Sequence, residues 1–389
     1  MFLCRLRRAA VVAATLMIAP LGAVPIMEAA DAQGPTLHVA STPTYQTNGR
    51  VAVVLVVRNT VYIGGDFTAV RPPGAAPGTR EVPRAHVAAF RVDTGKLRRW
   101  NPHANGSVTA LAASADRHTV YIGGSFTKLA GARRHNLGAV TAKTGSVTHF
   151  RANTHGPVLA LARSRSRLYV GGDFDAVKHK PRYHLAVVTV RGRLVRSWHP
   201  RANSFVRSIR VAAHGTRVYA GGAFSTINGH HSKFLAKLSD SGRLLRWRRP
   251  PDYPVWSLVV ASHHVFAGTN GVGGHVTSFT GRGRRLWSVD ADGGVQSLAW
   301  FHGAIIAGGH FRNICDGMTG RDCTTVQAAR NKLVSLNAGT GAVDPWSPSA
   351  NSGLGVFALA RTASKLYMGG VFTKVNNVPQ QGFDSFTRS

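Results

Sequence analysis

Asp66 and Asp173 stand at the same place in two copies of one motif, VYIGGDF and LYVGGDF, directly after a glycine pair. A glycosidase needs two carboxylates about 5–10 Å apart, one to protonate the leaving oxygen and one to attack or to activate water. Asp175 lies two residues beyond Asp173. If these positions face a central channel, they would serve a hydrolase or lyase acting on a glycan at the channel mouth. The plainer reading is the stronger one. An aspartate at a strand end pairs with arginines that recur nearby, here Arg84, Arg134, Arg182 and Arg330, or holds loop amides.

Histidines raise the question of a metal. The adjacent pairs His230–His231 and His263–His264 point to opposite faces of a strand and do not readily chelate one ion. His86, His135 and His184 follow Arg84, Arg134 and Arg182 at nearly matching positions. A ring of these arginines and histidines on one face would bind an anion, and otherwise it solvates loops. Cys315 and Cys323, eight apart in CDGMTGRDC, read as a local disulfide in an exported chain. Two free thiols or half of a metal site are the alternatives, and a structural zinc site needs four ligands. No Gly-x-Ser-x-Gly, phosphate-loop, His-Glu-x-x-His or calcium-loop pattern stands in a convincing context. Neither a metal nor a cofactor is expected.

What positions these residues is a repeat. VYIGGDF at Val61 recurs as VYIGGSF at Val120, LYVGGDF at Leu168, VYAGGAF at Val218, IIAGGHF at Ile305 and LYMGGVF at Leu366, with a degenerate VFAGTNG at Val265. The mean spacing from Gly64 to Gly369 is about 51 residues. Period-two alternation at that spacing suits a four-stranded propeller blade. A short apolar strand precedes each glycine strand, as in VTALA, VLALA, VWSLV, VQSLA and VFALA. A third strand follows, then a turn such as DTGK or DSGR, which is hairpin chemistry. The fourth segment ends in Trp100, Trp198, Trp247, Trp287 or Trp346. It also carries Arg98, Arg99, Arg193, Arg196, Arg243, Arg246, Arg284 and Arg285, a basic outer rim. That rim either binds anions or only guards sheet edges against pairing. The last unit stops at Ser389 without a fourth strand, and PTLHVA from Pro35 is available to complete it.

Residues 1–32 read as a signal peptide. Arg5, Arg7 and Arg8 precede an apolar run from Ala9 to Val24, and Ala30-x-Ala32 offers a cleavage site. The run is short for a membrane span and contains Pro20. No later segment is apolar enough to span a bilayer, so no membrane span is expected in the mature chain. The chain holds 48 Lys and Arg against 16 Asp and Glu. After loss of Arg5, Arg7, Arg8, Glu28 and Asp31 the charge stays near +31. Such a charge favours polyanions. Export argues against nucleic acid and for an anionic envelope polymer or glycan as partner.

VYIGGDFTAV, Arg84 three residues before Val87, and DTGKLRRWNP together resemble the delta-60-repeat propellers, a family of exported bacterial seven-bladed propellers. The resemblance covers residues 34–389. TGKLRRW is also similar to the repeat of quinoprotein propellers, where it implies that the turn and Trp dock blades together. The vicinal cysteines and calcium carboxylates expected of pyrroloquinoline-quinone dehydrogenases are missing, and Glu28 and Glu81 are the only glutamates. The expectation is therefore an all-β, seven-bladed propeller of four-stranded antiparallel blades over residues 33–389, its ring closed by the N-terminal strand. It would act as a secreted, monomeric, non-catalytic binding or scaffold module, the enzyme being the alternative.

Overall fold

The computed structural model describes residues 37–212 and 215–389, which lie in one compact unit spanning Gln33–Ser389. The signal peptide expected at 1–32 lies outside the described residues. Among the described residues the regular structure is strand, with no α-helix and so no helix long and apolar enough to cross a membrane.

One three-strand antiparallel unit recurs seven times. The first consists of inner strand Val51–Val57, middle strand Thr60–Gly65 and third strand Val87–Arg91. The fourth repeats it as Val206–Val211, Arg217–Gly222 and Leu235–Ser239. The last is Val356–Arg361, Lys365–Gly370 and Phe383–Thr387. The sheets remain separate, and no sheet closes on itself.

The four-stranded blade expected from the sequence is met in only two units. After the hairpin turn the fourth segment makes a single bridge, such as Phe90 to Leu97 or Val188 to Leu194. It then leaves the ladder. Two residues run regularly at Leu244–Leu245 and seven at Arg285–Ala291. The physical reason is the aromatic. Trp100, Trp198 and Trp346 turn inward and are buried, and an inward-turned side chain pulls its backbone off the sheet edge. Pro102, Pro200 and Pro348 follow soon after and cannot donate to a ladder. Arg285–Ala291 has no proline and Trp287 stays half-buried, so the strand continues. Its end pairs with Asn313–Cys315, which pairs in turn with Val326–Ala329.

The core lies between consecutive sheets. Each apolar cluster joins neighbouring units, as where Tyr121 and Phe150 of the second meet Val170 and Val188 of the third. Tryptophans of the outer segments staple the same seams. Trp100 Nε1 donates to Thr141 O of the next unit at 3.0 Å, and Trp287 Nε1 to Ala338 O at 3.1 Å. The turn glycine of the following unit packs on the indole. A Cβ on Gly242, whose φ is +88°, would sit 3.1 Å from Trp198 Cδ1.

The glycine pair has two separate causes. The first glycine receives a valine of the next unit's inner strand. A Cβ on Gly64 would stand 2.5 Å from Val108 Cγ1, and Gly123, Gly221 and Gly268 face Val158, Val255 and Val295 likewise. Gly369 of the last unit faces Val51 of the first in the same way. The second glycine accommodates a β-bulge. Every inner strand skips one residue against the middle strand, between Val51 and Val53, Val206 and Ser208, or Val255 and Ser257. That turns the carbonyl of the residue before the bulge onto the glycine, as Arg50 O onto Gly65. No side chain fits there.

The N-terminal segment runs along the last unit. Leu37 bridges Arg388 and Thr42 bridges Ser385. His38 O accepts from Trp346 Nε1 at 3.2 Å. Cys315 and Cys323 form a disulfide with Cα atoms 5.0 Å apart.

Candidate functional site: cationic cavities

The loops between middle and third strands form small hairpins that pair with the segment leading into the same unit's inner strand. Examples are Ala69–Arg71 with Gln46–Thr47, and Ala176–Val177 with Thr154–His155. A recurring Asn fastens this layer. Asn48, Asn105, Asn203 and Asn351 each accept two hairpin amides on Oδ1, at 2.7–3.0 Å. Asp292 takes the equivalent role for Arg312 and Asn313.

The recurring arginines are engaged with carbonyls of their own unit. Arg134 is buried, and donates to Phe150 O, Arg133 O and Thr148 O at 3.0, 2.9 and 2.9 Å. Burial pulls its pKa down, with Arg151 nearby adding repulsion. Arg84 donates to Pro83 O and Arg98 O, and Arg182 to Pro181 O and Arg196 O. Each therefore ties the hairpin to the outer segment.

The histidine register needs a correction. His86 and His184 have left-handed backbone, with φ of 66° and 63°. The residue matching them is Asn136, at φ 62°, not His135. His86 Nδ1 lies 3.1 Å from Gly65 O. His135 instead lines a surface cavity of about 780 Å³ with Arg133, Arg151, His155, Lys178 and His179. Asp66 pairs with Arg50 at 2.6 Å, and Asp173 lies 3.4 Å from His184 Nδ1. Neither lines a described cavity. Among the described residues no group of three or more His, Cys, Asp or Glu is placed to hold a metal.

Two further concavities are present, and the central one is lined by residues other than the Asp66 and Asp173 considered for a channel. A cavity of about 450 Å³ is bordered by all seven inner strands. The residue left over at each bulge faces it: Ala52, Thr109, Leu159, Arg207, Trp256, Gln296 and Phe357. Arg50 and Arg210 complete its cationic lining. The sequence did carry a signal for this. In VTALA, VLALA, VWSLV, VQSLA and VFALA the second residue varies freely while its neighbours do not.

The second, a groove of about 880 Å³ between the fourth and fifth units, is lined by Arg248, Arg282, Arg284, His263 and His264 together with Tyr219. Lys237 lies beside it and donates to Gly281 O at 2.6 Å. Its pKa is lowered by burial, then by Arg217 and Arg282. Much of the basic outer rim is exposed, including Arg193, Arg196, Arg243 and Arg246.

All five described cavities carry Lys, Arg or both, and none has an Asp or Glu in its lining. A two-carboxylate hydrolysis has no converging acid pair in any of them. An anion would meet donors in each lining, with the nearest carboxylates, Asp66 on Arg50 and Asp175 on His155, already paired at 2.6 and 2.8 Å.

The class of protein that this fold defines is the β-propeller. The WD40 β-propeller domain of Doa1 superposes with a TM-score of 0.57 at 12% identity, over 90% of this chain and 98% of that domain. The computationally designed Ika8 protein superposes with a TM-score of 0.53 at 14% identity, over 91% of this chain and all of that one. Identity this low speaks to the fold alone. No protein-family model and no curated protein matches the chain.

Proposed function

We propose that the chain is an exported, non-catalytic binding module that holds anionic polymers or glycans of the cell envelope or its surroundings. The observation that carries this reading is the lining of the five described cavities: Lys or Arg in each, Asp or Glu in none. Surface arginines placed only to keep sheet edges apart would work equally well with acidic neighbours. The groove between the fourth and fifth units is the principal contact, since Arg248, Arg282 and Arg284 converge on one concavity there.

On the same reading the protein is a monomeric seven-bladed ring, related to the delta-60-repeat propellers and closed by its N-terminal segment. Supporting closure are the contact of Gly369 with Val51, the bridges of Leu37 and Thr42, and Arg71, which donates to both Gln46 and Gln381. The disulfide fits an oxidising compartment.

The test is retention of residues 33–389 on dextran sulfate across a salt series, compared with an Arg248→Gln/Arg282→Gln/Arg284→Gln variant. Retention of the native chain should weaken steadily with salt, and the variant should elute earlier. Retention that is indifferent to salt, or equal for the two proteins, would remove the basis of the reading.

A further inference from the structure

The central cavity differs from the surface grooves because its cations are joined to aromatic rings and apolar walls. Arg207 lies over Trp256, its Cζ 4.0 Å from the ring centroid, and Arg50 lies over Phe357 at 5.2 Å. Stacking holds a guanidinium flat and leaves its in-plane N–H edges free to donate. Asp66 takes one edge of Arg50, while Arg50 Nε is buried without a partner. Among the described residues Arg207 has no recorded hydrogen bond or ion pair, and Arg210 only donates to the carbonyl of Ile209 beside it. Gln296 Oε1 is buried and unpartnered on the same wall.

Arg207 borders this cavity without a counterion, the one nearby carboxylate of Asp66 being taken by Arg50, and an uncompensated cation drawn partly out of water is unfavourable. Burial draws the Arg207 pKa down to about 10, and Arg50 is near enough to add to that shift. An anion would relieve both effects. The size also restricts the occupant. About 450 Å³ is at the small end of ligand pockets, suited to one or two rings rather than to a polymer chain. Leu159, Val53 and Leu111 give it apolar wall beside the two aromatics.

We propose that this cavity is a specific site for a small planar carboxylate, an aromatic acid in chemical class. Its carboxylate would bridge Arg50 and Arg207, and its ring would lie against Trp256, Phe357 and the apolar wall. The site is separate from the polymer-binding surface, and either can fail without the other.

Calorimetric titration of benzoate and cinnamate into the protein at about 0.15 M salt provides the test, with benzamide as neutral isostere and inorganic phosphate as ringless anion. The expected result is saturable one-to-one binding of at least one carboxylate. Benzamide, phosphate and the Arg207→Gln variant should each bind about tenfold or more weakly. Retention of that variant on dextran sulfate should be unchanged. Trp256→Leu should weaken the carboxylate while leaving phosphate as it was, and this decides the matter if Arg207→Gln loses its cooperative thermal transition. No saturable carboxylate binding, or equal binding of benzoate and benzamide, would overturn the site. Phosphate binding as tightly as benzoate would overturn the assignment to an aromatic acid.

Discussion

Replacing Gly64 with alanine sets two local effects against each other. In a strand interior, alanine is ordinarily worth about 0.5–1 kcal/mol over glycine. Here the new Cβ would stand 2.5 Å from Val108 Cγ1 and 3.0 Å from Val53 Cγ1. Carbon atoms settle at about 3.5–4.0 Å, so the neighbouring unit must retreat by roughly 1 Å along a fully buried seam. Overpacking of this kind costs about 1–3 kcal/mol. The overlap wins, and the expected net loss is about 1–2 kcal/mol. Val108→Ala alone removes two buried methyl groups and should cost about 2 kcal/mol. In that background the 2.5 Å contact is gone and only the tight contacts to Val53 Cγ1 at 3.0 Å and Val108 Cβ at 3.1 Å remain, so Gly64→Ala costs much less. The two changes should therefore couple by at least about 1 kcal/mol. Urea unfolding of the four proteins of the cycle measures this directly. A Gly64→Ala protein as stable as the native one, or a cycle additive within about 0.3 kcal/mol, would refute the seam geometry. The same cycle on Gly369, where a Cβ would also stand 2.5 Å from Val51 Cγ1, tests the contact between last and first units.

Other expectations follow from single buried groups. Arg134→Met strands three backbone carbonyls and should cost about 2–4 kcal/mol in denaturant unfolding, with polyanion binding unchanged in the folded protein. Arg134→Lys should not rescue it, because an ammonium lacks the planar fork. Asp384 is fully buried in the last strand, and burial raises its pKa to about 7. Its native form therefore holds the proton more tightly than the unfolded chain, whose carboxyl titrates near 3.8. The resulting stability is fully present below that value and is lost as pH rises to about 7. Asp384→Asn should flatten the stability profile over this window and exceed the native protein at pH above 7, by on the order of 4 kcal/mol at most. Reduction of Cys315–Cys323 should remove hydrogen-exchange protection from residues 313–329 and leave the other sheets protected, because the bridge closes only a local hairpin.

Much of the scaffold was legible because it repeats. Glycine pairs in register, apolar strands before them and turn glycines after them specify a propeller unit without any pairwise geometry. The fourth strand was overread: period-two alternation does not reveal that Trp100 or Trp198 turns inward and takes its segment off the ladder. Arg134 and Arg182 were visible as recurrent cations, but sequence cannot separate an arginine that donates to solvent or ligand from one that donates to Phe150 O or Arg196 O. His135 follows Arg134 by one residue where His86 follows Arg84 by two, and that single step turns the side chain to another surface. The central cavity was hidden for a physical reason. A bulge breaks the strict alternation of a strand, so Arg207, Trp256 and Phe357 face a direction that period-two counting assigns to the sheet interior. Arg50 and Arg207 belong to different units, and nothing local in the chain brings them together.

The most direct test of the binding account separates cavity charge from net charge. Two variants lose the same three positive charges, one at Arg248, Arg282 and Arg284 in the groove, the other at Arg58, Arg99 and Arg361, which line none of the described cavities. Affinity for dextran sulfate is measured for both at matched salt. The account predicts a loss of about tenfold or more for the groove variant and a much smaller loss for the other. Equal losses would mean that the polyanion responds to overall charge alone, and would contradict a binding surface built into the propeller.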